Sequence, residues 1–196
     1  MPAGIPIKSA RFGLQSNTQK HISPLNRTTQ RIELPGARWT ASYTLAPTKR
    51  SEVAAIQAFL IQLRGGANTF WGYDPSATSP RGTATGTPLV NGGSQVGTSL
   101  ITDGWTPNIT GILKAGDYIQ VGTELKMLIA DANSNGSGQA TLLFEPPFRD
   151  SPADNAPIII SSASCVMCLV DDDQSAWDID EALFYGIGFS AVESFF

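Results

Sequence analysis

Catalysis and metal binding require particular residue types, and few are present. His21 is the only histidine among 196 residues, which rules out a His-rich metal site and leaves one candidate general base. It lies in Gln19-Lys20-His21-Ile22-Ser23-Pro24 with no nucleophile motif beside it, so an exposed or structural role is the better reading. The chain contains no Gly-x-Ser-x-Gly elbow, no Walker loop and no His-Glu-x-x-His. Nothing specific marks a carboxylate pair for glycoside hydrolysis.

Two oxygen-rich stretches deserve a test as cation sites. Asp131-Ala132-Asn133-Ser134-Asn135-Gly136 matches the first half of an EF-hand loop, but the twelfth position is Leu142, where a bidentate Glu is needed. A plain β-turn accounts for the Asp, Asn and Gly. Asp171, Asp172, Asp173, Asp178, Asp180 and Glu181 form a denser acidic group. Without calcium-loop spacing, they read as a solvated loop or as an interface that pairs with Arg or Lys of a neighbour; a cation held by loop 171–181 is the competing reading. Cys165 and Cys168 lie in an apolar run. Three apart on a strand, they face opposite sides and cannot share one ion, so they read as small buried apolar residues in a reducing environment. Exposed aromatics could grip sugars, with Trp71, Tyr73, Trp105 and Trp177 as candidates. Core burial is the default for such residues, and Trp105, in the polar turn Asp103-Gly104-Trp105-Thr106-Pro107, is the best surface candidate. The expectation is therefore no enzyme, no catalytic, cofactor-binding or metal-binding residues, and no cofactor.

Bulk properties narrow the class further. Charged residues make up 15% and hydrophobic residues 41%, so much of the surface is neutral polar or covered by partners. A net charge of −4 and a pI near 4.9 argue against sequence-specific nucleic-acid binding. No apolar run reaches the roughly 20 residues that cross a bilayer, which argues against membrane insertion. Met1-Pro2-Ala3-Gly4-Ile5-Pro6 lacks the basic-then-apolar pattern of a signal peptide.

The elements that would position any site are mostly strands. Along Arg38 to Leu45, residues Trp39, Ala41, Tyr43 and Leu45 share one face, the alternation of a half-buried strand. Thr28 to Leu34 also alternates, and Pro35-Gly36 makes a turn that would join the two as a hairpin or as neighbours. From Ser51 to Arg64 the period changes: Val53, Ile56, Phe59, Leu60 and Leu63 fall at helical spacing. Thr48 or Ser51 is the candidate N-cap, and Gly65-Gly66 the stop. Phe70-Trp71-Gly72-Tyr73 is a further strand.

At Ser76 the composition shifts to Ser, Thr, Gly and Pro through Gly97, which predicts a linker or extended edge. Short strands at close spacing follow, among them Tyr118 to Val121, Leu125 to Ile129 and Ala140 to Phe144. They predict a small SH3-like or OB-like β-barrel over 76–156. Longer strands return with Ile158 to Ile160, Cys165 to Val170 and Tyr185 to Glu193. The expected fold is mainly β: residues 1–75 and 157–196 form a discontinuous, sandwich-like domain with one helix, interrupted by the barrel.

The order of these features resembles the distal tail proteins of siphophages and related minor tail proteins of the tail tip. The resemblance rests on Ser23-Pro24-Leu25-Asn26, Ala37-Arg38-Trp39-Thr40-Ala41, the helix ending Leu63-Arg64-Gly65, and Phe70-Trp71. It continues through Leu113 to Gly122, Phe144-Glu145-Pro146-Pro147-Phe148-Arg149, Cys168-Leu169-Val170-Asp171-Asp172-Asp173, Trp177, and Phe189 to Glu193. Cys168 departs from the pattern, where an arginine or another polar residue is expected before Leu169. The family implies a ring of copies, usually a hexamer, that links the tail tube to the hub of the tip or baseplate. It also implies an outward second domain that contacts tail-tip proteins or a host surface glycan, and location in the virion tail after synthesis in the host bacterial cytoplasm. It carries over no catalytic residue.

Overall fold

The computed structural model describes residues 7–195, so the Met1–Pro6 stretch read above for a signal pattern lies outside the described residues. The first third of the chain holds strands β1 (Ile7–Gln15), β2 (Thr18–Ile22), β3 (Thr29–Glu33) and β4 (Arg38–Leu45), then helix α1 (Arg50–Leu63). A 3-10 turn at Gly65–Ala67 leads to β5 (Phe70–Gly72). The middle carries β6 (Gly86–Val90), β7 (Gly97–Trp105), β8 (Tyr118–Val121), β9 (Glu124–Leu128), β10 (Ala140–Phe148) and β11 (Ile158–Ile159). The end supplies β12 (Cys165–Leu169), β13 (Asp178–Ile179), β14 (Tyr185–Gly186) and β15 (Gly188–Glu193). The fold is mainly β, with α1 the one α-helix among the described residues.

Two sheets carry the structure. A five-stranded antiparallel sheet runs β1-β4-β15-β12-β5, drawn from both ends of the chain. A six-stranded sheet runs β11-β8-β9-β10-β7-β6 and is drawn from the middle. Its edges nearly meet: the Val90 amide donates to the Ala156 carbonyl at 3.0 Å, and the Asn155 amide donates to the Val90 carbonyl at 2.9 Å. This leaves a barrel-like unit with few unpaired edge groups, the arrangement by which small β units avoid exposed edges. Its interior is filled by Leu100, Ile112, Ile119, Leu142 and Phe144, among others.

Alternation along β4 puts Trp39, Ala41, Tyr43 and Leu45 into the core of the five-stranded sheet. α1 covers that face with Val53, Ile56, Leu60 and Leu63, the positions its apolar period selects. The rest of the cover comes from the barrel, through Tyr118 and Leu125. The helix begins at Lys49 with no side-chain cap; Thr48 instead bridges Tyr185, and Ser51 falls inside the first turn. It ends where Arg64 turns left-handed, at φ 52°, and Gly65 follows at φ 63°, a conformation that costs glycine little.

Two local expectations are corrected by the pairing. Ile158-Ile159, grouped with the outer strands from residue 157 onward, instead pairs with Val121 and Gln120 of β8. Two isoleucines show no period, and the barrel needs them to close. β3 pairs with β2 rather than with β4, which lies between β1 and β15. Pro35-Gly36 redirects the chain without making a hairpin there, Gly36 sitting at φ 102°. The Ser/Thr/Gly/Pro stretch 76–97 does hold an extended edge, since β6 is an edge strand of the six-stranded sheet, and its Val90 is fully buried.

Candidate functional site

The chemistry of this chain concentrates where the barrel meets the five-stranded sheet. β8 and β9 have two buried faces. Ile119, Val121 and Leu128 point into the barrel, while Tyr118 and Leu125 join the other core. Trp39 is the hinge pin between them. Its ring stacks on Phe12 at 5.4 Å and meets Tyr118 edge-on at 5.6 Å. Its indole Nε1–H donates to the Leu125 carbonyl at 2.8 Å. Gln120 reaches the same junction, where its Oε1 accepts from the amide and hydroxyl of Ser164 at 2.9 and 3.0 Å. Burial and the Asp74 carboxylate push the Tyr118 phenol well above its ordinary range, so it stays protonated beside Asp74 Oδ2, 3.4 Å away.

Beside Trp39 lies a cluster of four alternating charges, of which Glu124, Lys126 and Glu193 are buried and Arg149 is open to solvent. Lys126, with no exposed side-chain surface, donates from Nζ to Glu124 Oε2 at 2.6 Å and to the Pro147 carbonyl at 2.9 Å. The ammonium also sits 4.7 Å from the centre of the Phe148 ring, a cation–π geometry. Arg149 Nη2 lies 3.8 Å from Glu124 Oε2 and donates to Glu193 Oε1 at 2.7 Å. The remaining acceptor positions are used as well. Glu193 Oε2 accepts the Trp39 amide, and Glu124 accepts the amides of Arg149 and Asp150. The cluster thus ties β9, the end of β10, β15 and β4 together.

Burial works against the charge on both members of the central pair. Desolvation raises the Glu124 carboxyl, but the hydrogen bond and charge of Lys126, with help from Arg149, outweigh it and hold the group below its ordinary value. Desolvation also lowers Lys126, and Glu124 only partly offsets this. A second carboxylate, Asp117, fastens the start of the linker onto the barrel. It accepts the amides of Arg81, Gly82 and Lys114 and lies 3.4 Å from Arg81 Nε. Buried carboxylates committed in this way to backbone amides and cations hold structure together.

The residues singled out from sequence are scattered rather than assembled. His21 is on exposed β2. Asn135 accepts the Ser137 amide two residues on, an Asx-type turn, while Asp131 and Asn133 accept the amides of Ala115 and Gly111 from the preceding loop. Asp172 accepts the Gly66 amide and Asp180 the Phe184 amide, while the acidic group as a whole is exposed. Among the described residues, no group of three or more His, Cys, Asp or Glu is arranged to hold a metal. Trp105, expected at the surface, is only 3% exposed. Its turn is the end of β7, and its indole N–H is spent on Thr102 Oγ1 at 2.8 Å. Trp71 and Trp177 are the exposed tryptophans, at 45% and 37%.

Cys165 is fully buried and Cys168 half-buried, on opposite faces of β12 as their spacing requires. Burial pushes the Cys165 thiol far up. In the native protein a thiol reagent is therefore expected to label Cys168 and spare Cys165, with both reacting in denaturant; mass spectrometry of the adducts reads this directly.

Sequence reasoning missed the charge cluster. Glu124, Lys126, Arg149 and Glu193 are ordinary surface residue types with no motif spacing. One signal was available: Glu124 and Lys126 are two apart, and so share a face, in a segment whose other residues are apolar.

No family model matches the chain, and no curated protein matches it significantly.

Proposed function

We propose that this chain is a structural subunit of a siphophage tail tip, a ring-forming component of distal-tail type that links the tail tube to the hub of the tip or baseplate. The observation that carries this is the layout: both chain ends build one sheet, and a nearly closed barrel is inserted between its strands. That is the two-part plan the resemblance implies. The junction supports a structural role, because a charge cluster built on buried Glu124, Lys126 and Glu193 and a shared aromatic core brace the inserted unit against the sheet. Ring formation requires two different patches per copy that meet head to tail and close. The exposed apolar residues Ile22, Leu25, Ile179 and Leu183 supply surface for such contacts.

The second reading is a carbohydrate-binding adhesion module of the same tail tip, favoured by the exposed rings of Trp71 and Trp177. Light scattering separates the two. A ring former is expected at an integer multiple of 20.8 kDa, with annuli in negative stain. A protein that stays monomeric at every concentration and binds host cell-surface glycan would overturn the ring in favour of adhesion.

A further inference from the structure

The β2–β3 hairpin stands apart from the two main sheets. Every residue of both five-residue strands is exposed, and the pair forms its own two-stranded sheet. Such a hairpin is marginally stable alone in water. Its apolar side chains lie open, with Ile22 61% and Ile32 56% exposed and Leu25 at the turn 96% exposed. Its charge is also frustrated. Lys20 is the direct cross-strand partner of Arg31, and like charges opposite each other are destabilising. Ile22 lies on the same face as this pair, two residues along the strand from Lys20.

The segment 170–183 presents the reverse. It contains Asp171, Asp172, Asp173, Asp178, Asp180 and Glu181 and no basic residue. Open apolar side chains lie beside the acids: Val170 is 50% exposed, Ile179 52% and Leu183 71%. Among the described residues, no ion pair joins this segment to the hairpin of its own chain.

We propose that the hairpin 18–34 of one copy docks on the 170–183 surface of the next copy, with Lys20 and Arg31 against its carboxylates and Ile22 against its apolar side chains. This contact rests on the ring reading above and names the surfaces that would form the ring. The two surfaces are different, so the contact is head to tail, the type that closes into rings. Among the described residues no ion pair satisfies either surface within the subunit; their charges are complementary, and both present open apolar side chains that the contact would cover.

Charge reversal tests it. Three variants are compared with wild type by light scattering: K20E/R31E, D171K/D178K, and the two combined in one chain. All four positions are exposed, and circular dichroism checks that each variant keeps its fold. The expected result is assembly by wild type, a more than about tenfold rise in the concentration needed for assembly in each pair variant, and recovery in the combined chain. Wild-type assembly that neither variant weakens would overturn this contact and leave the ring reading standing. So would weakening by one variant alone, or failure of the combined chain to recover. A wild-type chain that never assembles would overturn both.

Discussion

Glu124→Ala is expected to cost about 3–5 kcal/mol of folding stability, the loss that follows when one partner of a buried ion pair is removed. The reason lies in what remains. Lys126 would keep its ammonium in a site with no exposed side-chain surface, 2.6 Å from where the carboxylate had been. The Pro147 carbonyl and the Phe148 ring would be its remaining neighbours there, and the amides of Arg149 and Asp150 would lose their acceptor. Chemical denaturation of wild type and variant measures the loss. The double change Glu124→Gln with Lys126→Met removes both charges at similar volume and should recover most of it, since well-packed neutral replacements of buried pairs are often close to neutral. A single substitution as costly as predicted, with the double variant no better, would show that packing rather than charge is responsible.

The same pair sets an acid limit. The folded-state pKa of Glu124 is below its ordinary 4.5, so the unfolded chain takes up the proton first as pH falls. The contribution of Glu124 is therefore complete above that value and disappears as pH drops through the folded-state pKa. Glu124→Gln should flatten this part of the acid unfolding curve.

Trp39→Ala is expected to cost about 3–5 kcal/mol, the usual range for a buried aromatic cut to alanine. The ring is 2% exposed and touches Phe12 and Tyr118, so its removal opens a cavity where the two sheets meet. Its effect should extend beyond stability. Because Tyr118 and Leu125 belong to the barrel strands yet pack in the other core, the cavity loosens the attachment of one unit to the other. Limited proteolysis between residues 76 and 85 should accelerate. Trp39→Phe separates the contributions: it keeps most of the packing but orphans the Leu125 carbonyl, a loss of about 1–3 kcal/mol. An alanine variant as stable as wild type would refute the hinge-pin role.

Local pattern carried a good deal of this fold. The strand Arg38–Leu45 and its buried face could be read from alternation alone, because one face of it meets a core and the other does not. Helix α1 was legible for the same reason at a different period. The short strands between 97 and 148 announced a barrel-like unit through their spacing. What misled was chemistry that looked local but was settled at a distance. Trp105 sits among turn residues, yet it is covered because Gly138, just before β10, and Ala140, at its start, lie alongside its strand. The candidate caps Thr48 and Ser51 had suitable side chains, but Thr48 is held by Tyr185 from the far end of the chain.

By itself, the sequence determined the mainly β class, the single helix, the lack of any recognisable catalytic motif and the composition break that marks the inserted unit. Those properties depend on residues within a few positions of one another, where periodicity, turn residues and motif spacing act directly. Only the tertiary structure decided that Ile158-Ile159 closes the barrel, that β3 stands out from the sheet with β2, and that Glu124, Lys126, Arg149 and Glu193 meet in one cluster. Each of these joins residues that are unremarkable in their own neighbourhoods. Their energies come from desolvation and pairing across large sequence separations, which no local window contains.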